Sequence, residues 1–332
     1  MTDATPRALV RAQIALESFR LAPDGRTVVY ALRRVVRDAY ESHLWTRPYH
    51  GGRVRQLTRG RVRDGSPAIS PDGSRVAFVR SPVGIDDAVA QAWMLPLDGG
   101  EPWRLTNLKH GVASVHWSPD GGRLALVAQA GDHRFVIGPD GPKGKTPVAR
   151  RLTRLDFRDD ESGHVVRRAQ LWLIAAREGA KPRQLTSGDF DVLHPAWSPD
   201  GRRIAFSADS GRDATIHPRL QLWSVGTDAA RPRIRELASL AGDADRPAFS
   251  PDGRHLAFIG TDVDDPPDEV PPAVWVMELP SGRPRSLTGS LDRPAGEWAW
   301  CDLLMGEEAP GPVWLANDAL GVIIGDRGRN VP

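Results

Sequence analysis

Carboxylates and imidazoles are the side chains with which a protein moves protons or holds metals, and here the carboxylates recur at intervals. Asp72, Asp120, Asp200 and Asp252 each stand third in a tetrapeptide Ser-Pro-Asp-Gly, and a variant copy is Ala22-Pro23-Asp24-Gly25. Four converging carboxylates would form an acid–base or cation site. Turn chemistry accounts for them more simply. Ser at the first position bonds its own backbone two residues on, Pro at the second presets φ, and Gly at the fourth accepts a left-handed conformation. The nine histidines (His43, His50, His110, His116, His133, His164, His194, His217 and His255) include no H-E-x-x-H or other closely spaced metal pair. His116 and His194 lie just before two of the turns, where packing or solvation is the expected role. No serine has glycine at both flanking second positions, so the G-x-S-x-G nucleophile elbow is missing. No catalytic, cofactor-binding or metal-binding residue is assigned, and no peptide or ester hydrolysis is expected from this chain alone.

The turns belong to a repeat that spans the chain. The tetrapeptides begin at residues 22, 70, 118, 198 and 250, at intervals of 48, 48, 80 and 52. Each follows an apolar residue (Leu21, Ile69, Trp117, Trp197, Phe249) and leads into a short apolar strand such as Val76-Ala77-Phe78-Val79. A strand centred on Trp45, Trp93, Trp172, Trp223 or Trp275 comes next, and then one ending in Leu57-Thr58, Leu105-Thr106, Leu185-Thr186, Glu236-Leu237 or Leu287-Thr288. Two hairpins per ~45–50 residues, repeated, predict the four-stranded antiparallel blades of an all-β propeller. The expected domain is a single propeller over 1–332, with blades starting near 18, 66, 112, 193, 245 and 312. Five are complete and one is partial. The first strand of each should be innermost. The 80-residue interval places an insertion at 130–169 in blade three, and shorter ones fall at 80–90, 209–218 and 261–272.

Near the end, Pro312–Leu315 with Ala316-Asn317-Asp318 reads as a sixth first strand and turn and Leu320–Ile324 as its second strand, with no third or fourth. Unfinished blades leave strand edges and apolar faces without cover, so self-association is expected, through surfaces near Trp45 and Trp314. The tryptophans otherwise read as blade core or blade interface.

Composition narrows the function classes. The net charge is +2 from 44 basic and 42 acidic residues, and only Lys109, Lys143, Lys145 and Lys181 are lysine. The arginines read as spread along the chain and balanced locally, as in Arg158-Asp159-Asp160-Glu161, so nucleic acid is not an expected partner. No run of ~18 apolar residues predicts a membrane span. The N-terminal MTDATPRALVRAQIALESFR lacks the apolar core of a signal peptide, and Cys301 stands alone, so the cytoplasm is the expected compartment. The acidic stretch Asp262–Glu269 lacks the glycine of a calcium loop and reads as exposed.

These repeats resemble those of TolB and of the prolyl-oligopeptidase family, most closely the N-terminal propeller of the acylaminoacyl-peptidase branch. The residues that carry the likeness to that branch are Arg151-Leu152-Thr153-Arg154-Leu155, Asp159–His164, Arg167–Trp172 and Thr186–Trp197. His164 and Gln170 depart from the aromatic and histidine usual there. The resemblance covers roughly residues 17–328. It implies a seven-bladed propeller that admits short peptides to a serine-hydrolase domain, which is missing from this chain, and so a truncated chain with a gating role. Glu307-Glu308 is similar to the paired glutamates of dipeptidyl peptidases but lies outside the strand pattern and reads as surface loop. A free-standing TolB-like scaffold for protein partners is the alternative.

Overall fold

In the computed structural model the chain is almost wholly β-structure. The structure describes residues 5–131, 136–137, 149–150, 155, 157–159, 163–165, 167–211, 214, 216–264, 270–296 and 310–332. The described residues divide into two compact units, one within 5–128 and 172–183, the other within 129–171, 184–296 and 310–332.

In the first unit, a short helix (Pro6–Ala12) precedes blade one, whose strands are Ile14–Leu21, Thr27–Val36, Ala39–Pro48 and Arg55–Gln56. Blade two follows with Val62–Ile69, Arg75–Pro82, Gln91–Pro96 and Trp103–Arg104. Blade three has the strands Val112–Trp117, Arg123–Ala130, Arg168–Ala175 and Arg183–Gln184. Between its second and third strands lie two small hairpins, Val136–Ile137 with Ala149–Arg150 and Arg158–Asp159 with Gly163–His164. The second unit holds blade four (Leu193–Trp197, Arg203–Ala208, Gln221–Gly226, Ile234–Ala238) and blade five (Ala244–Phe249, His255–Gly260, Ala273–Glu278, Arg285–Ser286).

In blades two to five, second-strand side chains are buried on successive residues, as at Val76-Ala77-Phe78, Ile204-Ala205-Phe206 and Leu256-Ala257-Phe258, whereas blade one alternates, with Val29 and Ala31 buried and Tyr30 only partly so. Successive strand residues point to opposite faces, so both faces of these sheets are covered. Blades two and three share a core of Met94, Val115, Leu124 and Leu126, and blades four and five share one of Leu222, Leu256 and Phe258. A tryptophan ties neighbours together: Trp117 Nε1 of blade three donates to Ala68 O of blade two at 2.8 Å.

The sixth repeat uses the same tie. Trp314 Nε1 donates to Ala248 O of blade five at 2.9 Å, and Ala248 occupies the place in its blade that Ala68 occupies in blade two. The strand Val313–Ala316 pairs with Ala319–Gly321. The expected second strand through Ile324 is not continuous, however. It stops at Gly321, and a separate hairpin of Ile324–Asp326 and Arg329–Val331 follows. Ile324 is drawn off by an antiparallel bridge to Ala295, and Leu320, Val322 and Ile324 pack on Ile259, Val274 and Ala295 of the second unit.

The Leu-Thr ending of the outer strand has a specific use. Leu57, Leu105, Leu185 and Leu287 donate their N–H to the carbonyls of Leu44, Ala92, Leu171 and Val274. The N–H groups of those same four residues are met by the hydroxyls of Thr58, Thr106, Thr186 and Thr288 at 2.9–3.0 Å. The hydroxyl thus replaces a carbonyl, and the outer ladder proper is two residues long. Blade four has Ala238 where the others have threonine, and its outer strand runs five residues. In blades two and three the threonine hydroxyl also donates to Gln91 Oε1 (2.7 Å) or Gln170 Oε1 (2.8 Å). Thr186→Val leaves the Leu171 N–H and the Gln170 amide oxygen buried without that partner, a loss of about 1–3 kcal/mol per orphaned group. Urea unfolding is expected to show this for Thr186→Val and only a small change for Thr186→Ser.

Candidate functional site

The turn aspartates hold their own loops. Each serine hydroxyl donates to its aspartate Oδ1 (Ser70–Asp72 and Ser118–Asp120 2.5 Å, Ser198–Asp200 and Ser250–Asp252 2.6 Å). The same Oδ1 accepts the backbone N–H two residues on, from Ser74, Gly122, Arg202 and Arg254. Gly73, Gly121, Gly201 and Gly253 take φ of +66 to +71°, as the turn requires. These serine hydrogen bonds, followed by the backbone ones, hold all four carboxyls below the usual range, Asp72 at about 2. The aspartates are structural.

One pair of titratable groups comes together from separate blades. His194 Nδ1 lies 2.7 Å from Asp245 Oδ1, joining the first strands of blades four and five. Both sit at irregularities that recur between blades. Ser66, His194 and Arg246 have φ of +48, +47 and +57°, each precedes a proline, and each falls where the first strand slips register against the second. A residue before proline is disfavoured in the right-handed helical region, and a bulge re-aims its side chain. Burial alone would raise the Asp245 pKa, but the His194 contact and charge, with a hydrogen bond from Ser207, leave it lowered. Ser207 is buried, and its Oγ also accepts the Arg246 N–H at 3.2 Å.

The order of these groups decides their chemistry. A serine nucleophile requires imidazole between hydroxyl and carboxylate. Here the carboxylate stands between Ser207 and His194, so its hydrogen bond ties the hydroxyl down instead of activating it. The cluster presents a partly exposed imidazole with Arg246 beside it, an arrangement suited to holding polar ligand groups. The sequence contained a signal for the pair. Aligning His194-Pro195-Ala196-Trp197-Ser198 with Arg246-Pro247-Ala248-Phe249-Ser250 puts His194 and Asp245 one register step apart on neighbouring blades. Asp245 escaped notice because it precedes the repeated residues.

The other candidates are accounted for locally. His116 Nε2 meets Ser114 Oγ at 2.9 Å, His43 Nε2 meets Gly60 O at 2.8 Å, and His255 stacks near Trp314. Buried Asp64 receives Arg80 Nε and Nη2 at 2.6 and 2.8 Å, with the guanidinium over Phe78 and Trp93. Gln170 spans Thr186 and the Phe190 carbonyl. In the acidic loop, Asp262 accepts the Ala241 N–H and Asp264 lies 3.6 Å from Arg219. His133, Cys301, residues 265–269 and Glu307-Glu308 lie outside the described residues, as do Arg151–Arg154 of the insertion. Among the described residues no three His, Cys, Asp or Glu side chains converge as metal ligands, and no helix is long and apolar enough to cross a membrane.

No family model matches the chain. Two curated relatives do over segments. The Tol-Pal system protein TolB of Alcanivorax borkumensis is 31% identical over 103 residues, 26% of this chain and 22% of that protein. The uncharacterized peptidase YuxL of Bacillus subtilis is 29% identical over 143 residues, 33% and 21% of the two chains. The matched region thus spans about a fifth of the length of either relative. Among solved structures, acylaminoacyl peptidase of Pyrococcus horikoshii superposes with a TM-score of 0.64 at 16% identity, over 96% of this chain and 44% of that one. The β-propeller domain of the Trilobed protease from Pyrococcus furiosus gives 0.56 at 13% identity, over 96% and 84%. The fold is that of these β-propellers.

The depressed carboxyl pKa values predict an acid limit. Folded values below the unfolded ~3.9 give stability that is fully present above that value and lost as pH falls through the folded ones, about 2 for Asp72. Thermal unfolding between pH 5 and pH 2 is expected to show melting temperature falling across that window, and less steeply in Asp72→Asn.

Proposed function

We propose that this chain is the propeller portion of a serine peptidase of the acylaminoacyl-peptidase type, itself non-catalytic, which controls the entry of short peptides to a hydrolase domain. The observation that carries the reading is the coverage. Nearly the whole chain superposes on less than half of the P. horikoshii peptidase, leaving the larger part of that protein unmatched. The segment shared with a Bacillus peptidase supports it, as does the tethered hydroxyl of Ser207, the serine placed beside the histidine–carboxylate pair. In this reading no residue of the chain is catalytic and it holds no cofactor or metal. The lone Cys301 suits a reducing, cytoplasmic setting. A TolB-like scaffold for protein partners is the second reading, favoured by the higher identity of the TolB segment.

Two measurements follow. The purified 332-residue chain is expected to leave a fluorophosphonate probe and acyl-peptide chromogenic substrates untouched, since an activated serine needs a base and an oxyanion hole. Stoichiometric labelling of any serine overturns the reading. Reading the genome beyond codon 332 separates the two functions: a G-x-S-x-G segment in frame supports the peptidase, and an unrelated gene supports the scaffold.

Self-association belongs to the same proposal. Blade one exposes Ile14, Leu16, Phe19 and Leu21 on its first strand, while Trp45 is covered by Arg34, 5.6 Å from its ring. Leu21 stands where Trp117 docks blade three onto blade two. Light scattering is expected to show dimers or larger species, and Phe19→Glu with Leu21→Glu to shift them toward monomer.

A further inference from the structure

Blade one departs from its sister blades in charge. Between Glu41 and Asp64 the sequence has no acid and six arginines, Arg47, Arg53, Arg55, Arg59, Arg61 and Arg63. The expectation of local charge balance fails for this stretch. The fold gathers four of the six, Arg47, Arg53, Arg55 and Arg59, around one cavity of about 680 Å³ beside Trp45, and no carboxylate lines it. A second cavity of about 530 Å³ in the same unit shares Thr27, Thr46 and Arg55 with the first, and its walls include Asp24 and Asp72. The two cavities are therefore of opposite electrostatic character, and an anion is directed to the arginine side.

The arginines are disposed to hold an anion. Arg55 is fixed through Nη2 to the Leu97 carbonyl at 2.8 Å, which leaves its other N–H groups available to a ligand, and Arg47 Nε makes only a 3.4 Å contact with Pro48 O. Guanidinium groups pair with phosphate and carboxylate through two parallel hydrogen bonds.

We infer that the cavity beside Trp45 binds a multiply charged oxyanion, held by Arg47, Arg53, Arg55 and Arg59. The chemistry is common to a phosphate ester and a polycarboxylate. The site does not depend on the peptidase reading.

Calorimetric titration at fixed ionic strength tests it with inorganic pyrophosphate and citrate as probes. Saturable one-to-one binding of at least one of them is expected. Pyrophosphate tighter by tenfold or more identifies a phosphate as the source, and the reverse order identifies a polycarboxylate. Arg53→Gln with Arg59→Gln, both exposed positions, is expected to weaken binding at least tenfold. Absence of saturable binding, or unchanged affinity in the arginine double variant, overturns the inference.

Discussion

Blades two to five carry a second strand that is apolar on both faces, and both faces need cover. That constraint governs the rest of the structure. It is visible in the second strands, where three successive residues are withdrawn from water in blades two, four and five. Burying them on both sides requires a neighbour on both sides, so each repeat is stable only as part of a series. The tryptophan-to-carbonyl bond between blades sets the position of one sheet on the next. The same bond recurs at Trp314, which ties the Val313–Ala316 strand to blade five, although the residues after it take a different course.

The repeat was legible because each of its parts answers to a local rule. Ser-Pro-Asp-Gly specifies a turn whose hydrogen bonds are internal, and the short apolar run that follows specifies a strand. The Leu-Thr pair was legible as an ending, but its mechanism was not. Nothing in the one-dimensional pattern says that a threonine hydroxyl substitutes for a backbone carbonyl, or that Gln91 and Gln170 lock it in place. The break at Gly321 escaped for a related reason. Leu320-Gly321-Val322-Ile323-Ile324 has strand composition throughout, and only the competing bridge to Ala295 divides it.

The candidate sites show the same limit at longer range. The turn aspartates could be assigned from the sequence since their partners lie within a few residues. The His194–Asp245 contact joins positions 51 residues apart, and it depends on register between blades and on two left-handed residues before prolines. The basic cavity was hidden by averaging. Over the whole chain arginine and acid nearly cancel, whereas folding concentrates one acid-free stretch around a single concavity.

The two-residue outer strands bear on whether another chain can add to a blade's outer edge. An outer strand is a sheet edge, and a long edge invites pairing with another chain. By closing the ladder with a side-chain hydroxyl, blades one, two, three and five offer a stranger almost no backbone to join. Blade four, with Ala238 in place of threonine, carries the longest outer strand of the five, from Ile234 to Ala238. Arg235 and Glu236, exposed along it, put charge of both signs on that edge. Where the hydroxyl is missing, charge takes over the task of discouraging strand addition.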